Sequence, residues 1–201
     1  MKIELLQRCN ILKAANLIGD SFANHEPLSK HLGLSRSDFS EWASKVIASS
    51  LKEDLTFVAV DDEGEIIGCI VAEPFDETIV THTYPSAEPI FDMLKSLYKN
   101  LRIVGKVLHV VLIATDSMHI NEGVCYKLVK YILEKAKELG YTQVVAELTA
   151  KGTQQVFFQK LKFFQLGNRI NYSEYGGEFA NCHGEAALAY YDFKNFNFLN
   201  I

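Results

Sequence analysis

The sequence predicts an α/β fold, a mixed β-sheet with helices on both faces. Three observations carry this. Lys106–Tyr141 reads as a buried strand, a short polar loop and a long helix. Thr56–Val60 and Glu65–Ala72 are apolar runs joined by an Asp-Asp-Glu-Gly turn, the pattern of a β-hairpin. The middle of the chain then alternates strand and helix patterns. A hairpin gives antiparallel neighbours and a strand–helix–strand unit gives parallel ones, so the sheet is mixed. The 201 residues contain no linker-like stretch, and a single domain over 1–201 is expected.

Taken in order, Lys2–Leu6 is a short first strand. Ile11, Ala15, Ile18 and Phe22 recur at helical spacing, so a first helix covers about 11–23. Pro27 marks a break. Ser35 and Asp38 have capping-box spacing, and Phe39, Trp42, Ala43, Val46 and Ile47 line one face of a second helix reaching about Leu51. The hairpin follows, then a loop-rich crossing over 74–89. Ile90, Met93, Leu94, Leu97 and Leu101 describe another amphipathic helix. Val107–Ala114 is a β-branched, almost uninterrupted apolar run, which suits a strand covered on both faces. Its helix begins at Val124, with Leu128, Ile132 and Leu139 near one face, and Gly140 is a suitable stop. Thr142–Leu148 is a strand, Thr153–Leu161 a short helix, and Leu166–Tyr172 and Ala186–Phe193 two more strands.

Composition excludes several classes. An apolar fraction of 48% and a charged fraction of 22% are those of a soluble globular chain. The formal charge of −5 argues against nucleic acid as partner. No stretch approaches a membrane span, and the charged start is unlike a signal peptide. Cys9, Cys69, Cys125 and Cys182 show no Cys-x-x-Cys spacing and read as reduced thiols of a cytoplasmic protein. Cys182-His183 is one pair and not a metal site, so no metal is expected.

Between strand and helix, Asp116, Ser117, Asn121 and Gly123 interrupt the apolar run. A helix start offers free N–H groups and the positive end of its dipole, and Gly123 lets backbone approach a ligand. The loop suits a phosphate-bearing cofactor, although any strand–helix unit presents the same local pattern.

The order of these segments resembles the GCN5-related N-acetyltransferase superfamily, and most of all its arylalkylamine (dopamine-type) N-acetyltransferases, over roughly Phe22–Phe193. Phe22–Leu28 is similar to that group's Phe-x-x-x-Glu-Pro-Leu segment, which puts its glutamate at Glu26. Glu63–Pro74 is similar to its hairpin, and Leu108–Val129 to its cofactor strand and pyrophosphate loop. Ala146–Phe163 is similar to its segment ending Phe-x-Lys-Leu-Gly-Phe, and Arg169–Phe179 to its Tyr-x-x-Tyr stretch, followed by His183. Two departures stand out. The superfamily's Arg-Gly-x-Gly loop is here Ile120, Asn121, Glu122 and Gly123, and a carboxylate facing a pyrophosphate is repelled by it. Phe158 stands where many members carry a tyrosine that protonates the leaving thiolate, Gln154 where the dopamine-type group often has a serine, and Lys162 where it has a glycine. Tyr172 and Tyr175 are replacement proton donors by sequence position.

The resemblance implies a mostly antiparallel central sheet. It also implies acetyl transfer from acetyl-coenzyme A to a small primary amine by direct transfer, the subgroup pointing to arylalkylamines without choosing among these, polyamines, amino acids and protein amines. Glu26 becomes the general base for the ammonium group. Backbone donors near Ile113 and Ala114 face the developing oxyanion. Leu112, Ile113, Ala114, Thr115, Asn121, Gly123, Val124, Cys125, Gln154 and Phe158 contact the cofactor. Glu26, Tyr84, Tyr172, Tyr175 and His183 face the acceptor, with Phe91 and Tyr98 in the same aromatic set and Phe91 read as core. His109 reads as a satisfied core histidine and His119 as a solvated loop residue. The assembly is a monomer or a homodimer. Two rivals remain from the sequence: a catalytically silent member of the fold that binds acyl-coenzyme A or a protein, which the altered loop and Phe158 favour, and an α/β ligand-binding domain without coenzyme A.

Overall fold

The computed structural model describes residues 1–75 and 84–194. Within them seven strands form one sheet in the order β1-β2-β3-β4-β5-β7-β6. The strands are β1 (Lys2–Leu5), β2 (Thr56–Val60), β3 (Ile66–Pro74), β4 (Val107–Thr115), β5 (Gln143–Leu148), β6 (Phe164–Asn171) and β7 (Glu185–Asp192). Only β4 and β5 run parallel; every other pair is antiparallel. The expected mixed, mostly antiparallel sheet is therefore what forms. Residues 76–83, part of the expected loop-rich crossing, lie outside the described residues.

Helices cover both faces. Against one lie α1 (Ile11–His25), α3 (Arg36–Ser50) and α4 (Glu88–Ser96), whose Ile18, Ile47 and Met93 pack with Val58 and Val71. Against the other lies α5 (Val124–Glu138), whose Leu128 and Ile132 pack with Phe57, Ala59 and Ile70. The two-residue alternation of β2 thus feeds two cores. Leu139 leaves the expected apolar face: α5 ends at Glu138, and Leu139 is 47% exposed beyond the last turn. Ser35 caps α3 by accepting from the Asp38 N–H at 3.1 Å. Asp61 closes the β2–β3 turn by accepting from the N–H groups of Glu63 and Glu65.

Two short helices, α2 (Pro27–His31) and one at Tyr172–Tyr175, were not legible. The short helix expected over Thr153–Leu161 forms, but it starts earlier, as α6 (Lys151–Gln154), and continues directly into a π-helical turn over Gln155–Lys160. Tyr172, expected to end β6, instead opens α7 (Tyr172–Tyr175), because the Asn171 side chain caps the N–H groups of Ser173 and Glu174.

Two irregularities in β4 position the site. Val71 pairs with Leu112 but Ala72 pairs with Val110, so Val111 is an extra residue, a β-bulge. Val107 and, beyond the bulge, Leu112 and Ala114 all pack in the α1 core, whereas Leu108 and Val110 pack beneath α5. On its other edge β4 pairs with β5 only over Val107–His109 and Gln143–Val145. Beyond those pairs the strands part and leave a slot.

Close approach of α5 to β3 depends on Gly68. A Cβ there would lie 2.5 Å from Val124 Cγ1 and 3.1 Å from Leu128 Cδ1. Gly68→Ala is expected to destabilise the fold by about 1–3 kcal/mol through overpacking, read as a lower urea midpoint with unchanged slope.

Candidate active site

A cavity of about 600 Å³ occupies the slot and joins the two faces of the sheet. On one side it is walled by Leu112, Ile113, Ala114 and Thr115 of β4 and by Asn121, Gly123, Val124 and Cys125 at the start of α5. Gly123 has φ +81°, and no side chain caps α5. The first bond of that helix runs from the Lys127 N–H to the Gly123 carbonyl at 3.0 Å. The N–H groups of Val124, Cys125 and Tyr126 precede it and have no intrahelical acceptor, which suits an anion. Glu122 does not compete for this space: its carboxylate is 3.0 Å from His119 Nδ1 and its side chain is 58% exposed. That hydrogen bond raises the His119 pKa, against the opposing effect of burial, and the charges of Glu122, Asp116 and Asp61 add to it.

On the other side the cavity meets the loop between α1 and α2. Glu26 is 8% exposed and lines the cavity. It is the N-cap of α2, accepting from the N–H groups of Leu28 at 3.1 Å and Ser29 at 2.6 Å. Phe22, Phe39, Trp42 and Phe91 form an aromatic wall beside it. Phe22 stacks on Phe39 at 4.6 Å between centroids, and Trp42 lies 5.6 Å from Phe91.

A slot between parting parallel strands, a bulged strand along it and an uncapped helix start at its mouth agree with the sequence comparison. The sequence model of the acetyltransferase (GNAT) family matches residues 20–163. The chain belongs to this family. Its expected class, N-acetyltransferase, follows from that membership. Its fold is similar to the C-terminal condensation domain of Ebony in complex with beta-alanyl-dopamine, with a TM-score of 0.83 and 19% identity over 95% of this chain and 98% of that one. It is also similar to arylalkylamine N-acetyltransferase 2 from Aedes aegypti, with a TM-score of 0.78 and 20% identity over 95% and 98%. A third likeness is to a polyamine N-acetyltransferase of Drosophila melanogaster, with a TM-score of 0.71 and 14% identity over 96% and 99%. At such identities the likeness is one of fold. No curated protein matches the sequence.

The family slot closes at a buried polar network that the sequence did not reveal. At the last paired position of β4, His109 Nε2 lies 2.7 Å from Glu147 Oε2 of β5. Tyr98, just after α4, donates its hydroxyl to Glu147 Oε1. His109 Nδ1 lies 3.9 Å from Glu73 Oε1 of β3. All four residues line the cavity. Burial alone would lower the His109 pKa, but the charge and hydrogen bond of Glu147, with Glu73 adding, raise it. Burial would raise that of Glu147, but His109 and the hydrogen bonds from His109 and Tyr98 lower it. Burial, then Glu147, pushes the Tyr98 phenol up. His109 is indeed buried and satisfied, as its place in an apolar strand suggested, but by an ion pair within the site. The available signal was a lone polar residue in each of two adjacent apolar strands.

The remaining expected residues divide sharply. Every cofactor-side residue from Leu112 to Cys125 lines the cavity, but Gln154 and Phe158 do not. Gln154 turns inward and donates to the carbonyls of Leu148 and Glu185 at 3.0 and 2.8 Å, tying β5 to β7. Phe158 lies under the Arg169 guanidinium, 5.4 Å from the ring centroid. Thr153, Gln155, Val156, Phe157 and Lys160 face the cavity instead. Of the acceptor set only Glu26 lines it. Tyr84 is buried behind Phe39 and Trp42. Tyr172 is fully buried and donates its hydroxyl to the Thr149 carbonyl at 2.5 Å. Tyr175 and His183 are exposed outside the cavity. Tyr98 and Phe91 do line it, so Phe91 is more than core.

The shifts of His109 and Glu147 have opposite pH signatures. The stabilisation from His109 is complete below the ordinary value of 6.5 and is lost as pH rises through its raised pKa. That from Glu147 is complete above the ordinary value of 4.5 and is lost as pH falls through its lowered pKa. His109→Gln strands a buried carboxylate and should cost on the order of 3–5 kcal/mol between those values. Urea unfolding should show the cost shrinking toward alkaline pH; a cost that is flat across pH would contradict an imidazolium–carboxylate pair.

Proposed function

We propose that this chain, acting as a single cytoplasmic domain, transfers an acetyl group from acetyl-coenzyme A directly to a small primary amine, with Glu26 as general base. The observation that carries the reading is the common cavity: Glu26 on one wall, the bulged edge of β4 on the other, and the uncapped start of α5 at one end. Acetyltransferases of this family take acetyl-coenzyme A as acyl donor, and it supplies an activated carbonyl carbon.

The residues of the chain do the rest. N–H groups of Val124, Cys125 and Tyr126 meet the diphosphate, and Asn121, with φ +73°, shapes the same loop. The edge of β4 over Leu112–Thr115 offers main-chain groups that β5 leaves unpaired, and these hold the pantetheine arm. N–H groups near Ile113 and Ala114 stabilise the oxyanion. Glu26 uses one acceptor position on each oxygen for capping and keeps others for the ammonium proton. Cys125 lines the cavity, but burial, only partly offset by Lys160, pushes its thiol up to about 12. It is thus a thiol and not a thiolate near neutral pH, which supports direct transfer over an acyl-cysteine intermediate.

The aromatic wall of Phe22, Phe39, Trp42 and Phe91 suits an aryl group or a stacked cation. Arylalkylamines and polyamines, the classes named for two of the similar structures, are the acceptors to assay.

Acetyl-coenzyme A at ~100 times its dissociation constant should stabilise the fold by roughly 2.7 kcal/mol, seen as a higher thermal midpoint. Glu26→Gln, which retains a capping oxygen, should keep that shift and lower kcat by about 100-fold or more. No shift for the wild type would overturn the acetyl-transfer reading, and undiminished turnover by the variant would remove Glu26 as base.

A further inference from the structure

The closed end of the cavity carries an uncompensated charge. Glu73 and Glu147 flank one imidazole, that of His109. Glu147 is the closer partner at 2.7 Å, is nine-tenths buried and takes two hydrogen bonds. Glu73 is 3.9 Å from His109, its side chain is 34% exposed, and among the described residues its carboxylate makes no hydrogen bond. With His109 protonated the group of three carries two negative charges against one positive. Of the two lysines lining the cavity among the described residues, Lys95 is held by Asp92 at 3.0 Å, both being exposed, and Lys160 acts on Cys125.

This carboxylate stands in a particular setting. Glu73 pairs directly with His109 across β3 and β4, on the α1 side of the sheet, where Glu26 also enters. Tyr98, bonded to Glu147, and Phe75, stacked on Tyr98 and edge-on to His109, stand at the same end, and Phe91 and Leu94 line the same cavity. Aromatic faces beside a partly desolvated carboxylate favour an organic cation over a neutral ring, since both attract positive charge. Ile113 pairs with Ile70, three residues from Glu73 along β3, so it lies roughly 10 Å away at about 3.3 Å per residue, and a group at Glu73 belongs to the far end of an extended acceptor and not to the reacting amine.

We propose that Glu73 is the specificity-determining residue of the acceptor end, binding a second positive charge on the amine, so that the preferred acceptors are polyamines or guanidino-alkylamines and not monoamines. This rests on the acetyl-transfer reading above and narrows its acceptor class. The reacting amine sits at Glu26 and β4, the chain between lies along the aromatic wall, and the distal cation pairs with Glu73. Tyr98, Glu147 and His109 hold that carboxylate's surroundings fixed.

The test compares wild type with Glu73→Gln, using spermidine and 2-phenylethylamine as acceptors. In the wild type, kcat/KM should favour spermidine, and its KM should rise with ionic strength. Glu73→Gln should raise the spermidine KM about tenfold or more, leave kcat nearly unchanged, and leave the KM for 2-phenylethylamine unmoved. A loss confined to KM for one acceptor separates binding of the distal charge from a general loosening of the site. An unchanged spermidine KM in the variant, or equal losses for both amines, would overturn the proposal. If no amine is acetylated, the acetyl-transfer reading fails by itself, and calorimetric titration of spermidine still decides this one. Binding to wild type weakened about tenfold or more in Glu73→Gln supports it; equal binding, or none to wild type, overturns it.

Discussion

The parting of β4 from β5 is the constraint on which the rest of this structure depends. Parallel neighbours ordinarily continue their ladder along their shared length, because each buried N–H and C=O needs a partner. Here the ladder stops at His109 and Val145, and the edge of β4 beyond it is left open. The bulge at Val111 belongs to the same solution: an extra residue bends the strand and strengthens its twist, which turns it away from β5. The result is a slot whose lining is main chain, and a bound ligand with amide groups of its own can complete the ladder. The side chains of Leu112–Thr115 contribute little to such recognition, and an apolar, β-branched strand serves it well.

What stops the parting from spreading is ionic. His109, at the last registered position of β4, is tied to Glu147, two residues beyond its partner Val145 on β5, and Tyr98 adds a second hydrogen bond to the same carboxylate. A buried pair of this kind gains little over an apolar replacement, but losing one partner is costly. Its contribution therefore lies more in fixing where the slot begins than in net stability. The network is also lopsided: a second carboxylate leans on an imidazole already engaged, and the surplus negative charge remains in the cavity.

The parts of this arrangement legible in the sequence are those in which neighbours in space are also neighbours in the chain. The hairpin of β2 and β3, and the β4–α5 unit, are set by local period and turn chemistry, and Leu112–Thr115 and Gly123–Cys125 reach the cavity from that one strand–loop–helix unit. This wall of the cavity is assembled from α1, α3, α4, β3, β4 and β5, so nothing local in the chain showed that Trp42, Tyr98 and Glu147 meet there. Helical phase explains another gap. The turn over Gln155–Lys160 is π-helical, so a regular 3.6-residue projection rotates its side chains wrongly. Within it Gln155 and Phe157 line the cavity and Phe158 does not, whereas Gln154, in α6 before the turn, is held away by its bonds to the Leu148 and Glu185 carbonyls.

Glu26 shows how a side chain reaches a cavity without depending on that cavity's own packing. Proline at the next position disfavours helical backbone at Glu26, whose φ of −80° and ψ of 123° are extended. Pro27 is itself suited to the first turn of α2, where an N–H would go unused. Glu26 thus stands at the N-cap of α2, and its two oxygens accept from the N–H groups of Leu28 and Ser29. Capping holds the carboxylate against the loop and fixes its rotamer, and α1, ending at His25, delivers the loop to the open edge of β4. The Glu-Pro-Leu triplet therefore encodes the placement of this carboxylate. A carboxylate mounted on a helix cap keeps its geometry while the slot beside it fills and empties.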